Sequence, residues 1–230
     1  MKRSEINRIL KSSEDFFTSQ NWRLPVWGYW TWDEWLARSA LELDEILTQE
    51  MGWDITDFAL GDFERKGMVL FTVRNGSTPA TGYDKPYCEK LMIVNDGQLC
   101  LTHFHWDKVE DIINRGGGTL NLRLNNANAD ESLDMANPVV VYVDGIRRVL
   151  DPGAVLSLAP GESVTLPQRN YHSFWGTGRV LIGEVSKVND DHTDNRFLDD
   201  SPRFPKIDED EPIFRPLVGD YAKLRTLLSC

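Results

Sequence analysis

The 230-residue chain has only four histidines and three cysteines, and it lacks any long apolar run. Cys88, Cys100 and Cys230 are odd in number and show no CxxC spacing, so we expect no disulfide framework, which fits a reducing compartment. No run approaches the roughly 18 apolar residues of a membrane helix, and the start has no apolar signal-peptide core. We therefore predict a cytoplasmic protein without a membrane span.

Basic residues are also scarce. The chain has 25 Lys and Arg against 36 Asp and Glu, which gives a net charge of −11. Nucleic acids and anionic membranes bind basic faces, so this balance argues against both as partners. The hydrophobic content of 41% is ordinary for a globular protein, and the length is enough to bury a core in one structural domain.

The hydrophobic pattern divides the chain into a helical start and a β-rich remainder. Residues 1–54 are predicted to form a helical extension that packs on the rest of the protein. From 55 to 218, short β-rich runs alternate with Asn-Gly, Asp-Gly and Pro-Gly turns, a pattern typical of a barrel or sandwich. Residues 219–230 are predicted to end the chain with a short helix, centred on Tyr221–Leu228.

Two helices are predicted within the extension. Ser4 can cap the first, whose apolar residues recur at helical spacing. Thr31 with Glu34 forms a capping box that opens the second, and Gly52 ends it.

Two of the histidines stand one residue apart in THFHW (102–106). Side chains at i and i+2 of a strand point the same way, about 7 Å apart, so His103 and His105 can converge on one ion. Glu110, beyond a short bend, can add an oxygen, and His172 can add a third nitrogen. Three imidazoles and one carboxylate leave positions open on a six-coordinate metal, as a catalytic site requires. The alternative is a polar histidine pair on a solvated strand. Leu99 and Leu101 share the face of the two histidines, which indicates that this face points to the core.

The spacing of these residues resembles the first metal motif of the cupin superfamily. Five residues separate Gly97 from His103, one separates the two histidines, four precede Glu110, and six lead to Gly117. The second motif is looser. Gly161, Pro167 and His172 stand at the expected distances, whereas Arg169 replaces a common glycine and Gly176 a common asparagine. The resemblance implies a mainly β fold, a cupin or jelly-roll barrel, with the helical segment as an N-terminal extension.

Strand pairing brings a lysine toward the predicted metal site. If residues 88–94 and 99–105 form a hairpin around the turn at 95–98, Lys90 lies opposite His103 and points to the same face. A buried ammonium is costly unless it has a role, such as anchoring a substrate oxygen or moving a proton. A one-residue bulge would instead turn Lys90 to solvent. The same pairing makes Cys88 a small buried filler.

Two long runs narrow the class further. VEDIINRGGGTLNLRL (109–124) and GEVSKVNDDHTDNRF (183–197), together with the Trp-rich start, resemble the D-lyxose ketol-isomerase family over most of the chain. The resemblance implies a homodimeric cupin with a divalent ion, commonly manganese, although cobalt, zinc and iron accept the same ligands. It also implies interconversion of D-lyxose and D-xylulose, with D-mannose and D-fructose as a slower pair. The chemistry of such a site favours a metal-stabilised enediol, and the sequence does not separate that route from a hydride shift. The partner is then a monosaccharide. An unphosphorylated sugar is favoured over a phosphorylated one, because no cluster of Arg or Lys stands near the ligands apart from Lys90 and Lys108.

The implied reaction needs a base that moves a proton between C2 and C1. Glu184 is the first candidate, because apolar residues and glycine precede it, and burial should raise the pKa of its carboxyl. It could instead pair with Arg179 or point outward. Asp194 can hold a second acid–base position and Arg196 can orient sugar hydroxyls, or either residue can belong to an ordinary surface ion pair. Lys108, between the ligands, is a further expected substrate contact.

Three other features have simpler interpretations. Gly116–Gly118 is expected to form a tight turn after Glu110. Trp27, Trp30 and Trp32 can stack on a sugar or close the barrel mouth, but core or dimer packing is the stronger expectation. The acidic run 208–211 is expected to be solvated. Two rival functions remain at this stage, a metal oxygenase of the same fold and a sugar-binding protein without activity.

Overall fold

A computed structural model describes residues 1–77 and 84–229, and Cys230 lies outside them. The helices in this part of the chain are α1 (Arg3–Ser19), α2 (Trp32–Leu36), α3 (Asp44–Thr48) and α4 (Tyr221–Leu228), with 3₁₀ turns at Val26–Tyr29 and Val218–Asp220. The strands are β1 (Gly52–Thr56), β2 (Met68–Arg74), β3 (Cys88–Val94), β4 (Leu99–His105), β5 (Glu110–Ala127), β6 (Leu133–Asp134), β7 (Val139–Val143), β8 (Ile146–Leu150), β9 (Val155–Leu158), β10 (Ser163–Leu166), β11 (Asn170–Ser186) and β12 (Asn195–Phe197). The mainly β fold with a helical N-terminal extension is confirmed. No described helix is long and apolar enough to cross a bilayer.

Two long strands, β5 and β11, organise the fold. They pair with each other along most of their length. One half of each strand belongs to one layer of the barrel, and the other half belongs to the second layer. In one layer, the end of β11 pairs with β3 while the start of β5 pairs with β10. In the other, the start of β11 pairs with β4 while the end of β5 pairs with β9. The inner faces of both layers enclose one apolar core, including Leu122, Leu124 and Phe174.

Strands β2 and β3 are apolar on both faces because each face is covered. Met92 and Val94 point into the barrel core, whereas Leu91 and Ile93 belong to a second core shared with helix α1. This explains why the two strands lack the clean alternation of a half-exposed sheet. Each large apolar side chain buried at this interface contributes about 2 kcal/mol to folding.

Helix α1 is held at its start by the acidic run near the C-terminus. Arg3, fully buried, donates to Glu209 and to Asp220, both at 2.7 Å. Ser4 does not cap the helix, since Lys2 is the N-cap residue. The Ser4 hydroxyl instead donates to Asp210 at 2.7 Å. The acidic run 208–211 is exposed to solvent, as expected, and it also anchors the start of the helix. Carboxylates beside the first turn of a helix also complement its dipole.

The second predicted helix is broken into α2 and α3. The capping box of Thr31 and Glu34 that opens α2 is confirmed. A second local motif interrupts the helix, because the Glu42 carboxylate accepts from both the amide and the hydroxyl of Ser39, at 2.8 Å each. Serine and glutamate side chains that bond to nearby amides compete in this way with helix continuation. The first strand then begins at Gly52, within the segment assigned to the helical extension.

The hairpin predicted between residues 88–94 and 99–105 is wrong. The turn is present, with the Gln98 amide donating to the Asn95 carbonyl at 3.1 Å. It carries the chain from one layer to the other, so β3 pairs with β2 and β11 while β4 pairs with β11 and β12. Lys90 consequently lies opposite Glu184 rather than His103.

The three glycines after Glu110 do not form a turn. They lie within β5, where its pairing with β11 becomes irregular and both strands pass between the layers. Gly117 has φ +88°, and a Cβ there would lie 2.2 Å from the Arg179 carbonyl oxygen. A Cβ on Gly118 would lie 2.1 Å from the Thr177 carbonyl oxygen. Glycine is required because the two backbones approach too closely for side chains.

Candidate active site

Three buried histidines meet inside the barrel. His103 and His105 come from β4, and His172 on β11 lies directly opposite His103 in the pairing of those strands. One nitrogen from each ring lies within 4.8 Å of the others. The i, i+2 spacing and the cross-strand pair thus bring together the imidazoles that the sequence predicts as ligands.

Each of the three rings is oriented by a backbone carbonyl. The Nδ1 atoms of His103, His105 and His172 contact the carbonyl oxygens of Leu101, Asp194 and Asn170 at 2.7, 3.2 and 3.0 Å. An Nδ1–H that donates to a carbonyl leaves the Nε2 lone pair free for a ligand, the usual arrangement around a metal. Burial holds the pKa of His103 and of His105 well below the usual value, and the Lys108 ammonium adds to the effect on His105, so both rings are neutral.

Glu110 faces these rings with an unpaired oxygen. Its Oε1 lies 3.2 Å from His172 Nε2, yet this buried oxygen accepts no hydrogen bond among the described residues. In the tautomer that donates from Nδ1 to the Asn170 carbonyl, His172 Nε2 and this oxygen both present lone pairs at that distance. A cation between them would satisfy both. The three imidazoles and this carboxylate therefore fit a divalent metal ion.

Lys108 bridges two buried carboxylates. Its Nζ lies 2.9 Å from Glu110 Oε2 and 2.8 Å from Glu184 Oε1, and all three side chains are buried. Burial alone would lower the pKa of the Lys108 ammonium, but Glu110 and Glu184 raise it above its usual value. Burial would likewise raise the pKa of Glu110, yet the charge and the hydrogen bond of Lys108 hold it at about 2. At neutral pH the ammonium and both carboxylates are ionised.

Glu184 points into the same cavity and is also ionised. Burial alone would raise the pKa of this carboxyl, but Lys108 and Lys90 bring it below the usual value. The expected upward shift is wrong, because the apolar residues that precede Glu184 in sequence are outweighed by two ammonium groups. Its Oε1 accepts from Lys108 and from Ser186, the latter at 3.0 Å. No hydrogen bond from the described residues falls on Oε2, which leaves that oxygen available to a substrate.

Lys90 lines the cavity and is almost fully buried. Its Nζ donates to Asn189 and lies 3.4 Å from Asp191 Oδ1. The Lys90 side chain therefore points inward, as predicted, although the strand pairing from which this was predicted is wrong. It is not turned to solvent by a bulge. Asn189 and Asp191 were not predicted as site residues, although both lie in the run 183–197.

Asp194 and Arg196 both lie outside the cavity wall. The Asp194 carboxylate accepts from the amides of Asp107 and Lys108, at 2.7 and 3.1 Å, and so shapes the bend that precedes Glu110. Arg196 is partly exposed, and its Nε donates to Glu131 at 2.6 Å, as in the surface ion pair considered as an alternative. Its neighbours Asn195 and Phe197 line the cavity, because side chains alternate along β12.

Five other residues considered from the sequence, the three tryptophans of the extension, Arg179 and Cys88, have packing roles. Trp27, Trp30 and Trp32 pack against a small core formed by the short helices and α4, so they contact the extension rather than the cavity. Arg179 donates to Ser12 and makes no pair with Glu184. Cys88 is buried, which raises the pKa of its thiol to about 12.

Comparison with known proteins identifies the family. The family model for D-lyxose isomerase matches residues 1–221. A D-lyxose/D-mannose isomerase from Escherichia coli O157:H7 is 44% identical over 228 residues, which cover 98% of this chain and 100% of that protein. A D-lyxose/D-mannose isomerase from Serratia proteamaculans is 45% identical over 226 residues, covering 97% and 99% of the two chains.

Solved structures agree on the fold. L-ribose isomerase from Acinetobacter sp. DL28 superposes with a TM-score of 0.57 at 15% identity, covering 90% of this chain and 98% of that one. L-ribose isomerase from Cellulomonas parahominis gives a TM-score of 0.55 at 18% identity, with the same coverage. These likenesses support the cupin-type barrel with its N-terminal helix. With the family match and the full-length relatives, they show that this chain belongs to the D-lyxose isomerase family and is an aldose–ketose isomerase.

Proposed function

We propose that the protein interconverts D-lyxose and D-xylulose, with D-mannose and D-fructose as a slower pair. The two relatives named for D-lyxose and D-mannose support this choice of substrates. The observation that carries the proposal is the placement of Glu184. This buried, ionised carboxylate has one free oxygen and faces the same cavity as the three histidines.

We assign the ion site to His103, His105, Glu110 and His172. The unpaired Oε1 of Glu110 supports a bound divalent cation. When bound, such an ion polarises adjacent carbonyl and hydroxyl oxygens and stabilises the charge of an enediolate. Manganese is the ion we propose, on the resemblance to the family, and cobalt, zinc or iron are the alternatives to be tested.

Glu184 is the proposed base. Its Oε2 takes the proton from C2 of the aldose and returns it to C1, while the proton of the C2 hydroxyl passes to the C1 oxygen, and the two transfers together yield the ketose. Lys108 keeps Glu184 and Glu110 ionised, and its ammonium can also donate to a sugar oxygen next to the reacting carbons. Ser186 fixes the rotamer of Glu184 by donating to the oxygen that does not react.

Lys90 and Asp194 take supporting roles in this proposal. Lys90 lies beside Glu184 across β3 and β11 and supplies positive charge near a developing oxyanion. Asp194 holds the bend that carries Lys108, so we assign it a positioning role rather than an acid–base role. Arg196 has no role in the mechanism, since it lies outside the cavity wall.

A substrate panel tests the proposal. Metal-depleted protein is reloaded with Mn²⁺, Co²⁺, Zn²⁺ or Fe²⁺ and assayed for ketose formation from D-lyxose, D-mannose, D-xylose and D-ribose. We expect D-lyxose to give the highest kcat/KM, D-mannose to be slower, and chelation to abolish turnover. Solvent deuterium should enter the product at C1. Equal activity after exhaustive chelation would refute the metal assignment, and a preference for another aldose would refute the substrate.

Other features stay predictions. A homodimer follows from the family resemblance and is tested by light scattering. A cytoplasmic location follows from the cysteine content. The oxygenase and the inactive sugar-binding protein are not carried further, because the chain belongs to an isomerase family.

A further inference from the structure

An arginine from the C-terminal segment lies in the wall of the active-site cavity. Arg203 follows β12, in a stretch that the hydrophobic pattern marks only as polar. The residue lines the same cavity as the three histidines and Glu184, and its side chain is 7% exposed. The Thr56 hydroxyl donates to its carbonyl oxygen at 2.7 Å, which ties the segment to β1.

The guanidinium is anchored at one nitrogen and unpaired at another. Nη2 donates to Asp54 Oδ2 at 2.7 Å and to Asp191 Oδ2 at 3.2 Å. Nη1 is buried and has no hydrogen-bond partner among the described residues. Because the guanidinium is planar and Nη2 is held by two carboxylates, the direction of the Nη1–H bonds is fixed. Buried donors are rarely left unpaired unless a ligand or water completes them.

The charges around Arg203 show what kind of ligand fits. Arg203 and Lys90 supply two positive charges, and Asp54 and Asp191 supply two negative charges. The network is neutral, so it has no surplus charge for a phosphate. A neutral hydroxyl oxygen needs only one donor, and the free Nη1–H provides it.

We propose that Nη1 of Arg203 donates a hydrogen bond to one of the C3, C4 or C5 hydroxyl oxygens of the sugar. This deepens the proposed function and depends on it. The oxygens on C1 and C2 must lie by the histidine cluster and Glu184, where the reaction takes place. Arg203 contacts neither of these groups, so it binds the part of the sugar that does not react. Its role is recognition of the hydroxyl pattern.

Deoxy sugars test this assignment. The Mn²⁺-loaded protein is assayed with D-lyxose and its 3-, 4- and 5-deoxy analogues, as the wild type, as Arg203→Lys and as Arg3→Lys. The wild type should lose about 10- to 100-fold in kcat/KM with one analogue through the missing hydrogen bond. Arg203→Lys should lose a similar factor in kcat/KM with D-lyxose but nothing more with that analogue, so the ratio of kcat/KM between D-lyxose and that analogue falls toward one. The ratios of kcat/KM between D-lyxose and the other two analogues should stay unchanged. Arg3→Lys, which changes a buried arginine outside the cavity, should keep all wild-type ratios.

Two outcomes would overturn the assignment and are distinguishable. If Arg203→Lys lowers kcat/KM for all four sugars by one common factor, Arg203 serves only as a scaffold for Asp54 and Asp191. If the wild type converts none of the sugars, the proposed function fails first. Should Arg203→Lys not fold, Asp54→Asn removes one of the two carboxylates that hold Nη2. This variant is expected to lower the ratio of kcat/KM between D-lyxose and the sensitive deoxy analogue. An unchanged ratio in that variant also refutes the proposal.

Discussion

Glu184→Gln separates proton transfer from metal binding. Glutamine has nearly the same shape and can still accept from Lys108 and Ser186, so the cavity should keep its geometry. It cannot take a proton from C2. We expect kcat and kcat/KM to fall together by roughly 10²- to 10⁴-fold, the usual contribution of a positioned base.

The stability cost of this change should be modest. Lys108 loses one of two carboxylate partners, at 2.8 Å, and keeps Glu110 at 2.9 Å. Replacing this ion-pair hydrogen bond by one to a neutral amide costs at most about 2 kcal/mol, which corresponds to no more than roughly 4–8 °C in Tm for a protein of this size. Elemental analysis of reloaded protein should find as much manganese as in the wild type, because Glu184 is not among the proposed ligands.

The assay is ketose formation under saturating aldose, with metal content and Tm measured on the same preparations. Ser186→Ala is the matched control. It removes the other hydrogen bond to Oε1 and leaves the carboxylate in place, so it should cost no more than about tenfold in kcat. A Glu184→Gln enzyme with near-normal kcat would exclude Glu184 as the base. Loss of manganese together with activity would instead make it a ligand.

Three further predictions concern the metal, the strand crossing and the terminal ion pair. His103→Ala should lose both bound manganese and activity, measured by elemental analysis and ketose formation, and retention of stoichiometric metal would contradict the site. Gly117→Ala should destabilise the protein by at least about 2 kcal/mol in denaturant unfolding, since its Cβ would meet a carbonyl oxygen at 2.2 Å. Gly219→Ala, with open space around it, is the control, and equal effects would refute the crossing argument. Arg3→Met should cost about 3–5 kcal/mol by leaving Asp220 buried without its partner, and a cost below 1 kcal/mol would show that the pair contributes little.

The sequence determined the parts of this protein that depend on local spacing. Two histidines at i and i+2 on a strand must share a face, so His103 and His105 were predictable as a pair. Thr31 and Glu34 form their capping box within a single turn. The spacing of apolar residues predicted the helical extension and most strands. Burial of one face requires the same apolar period in a helix or strand, whichever neighbour covers that face.

Only the tertiary structure decided which strands pair and which charges meet. Strand β3 could pair with any apolar neighbour, and the turn after it carries the chain to the other layer, so the predicted hairpin with β4 failed. Lys108 and Glu184 are 76 residues apart in sequence, yet their contact determines the direction of the Glu184 pKa shift. Arg203 reaches the cavity through ion pairs with two distant carboxylates. Electrostatic energies depend on distances in space, and sequence spacing carries no such distances across a folded barrel.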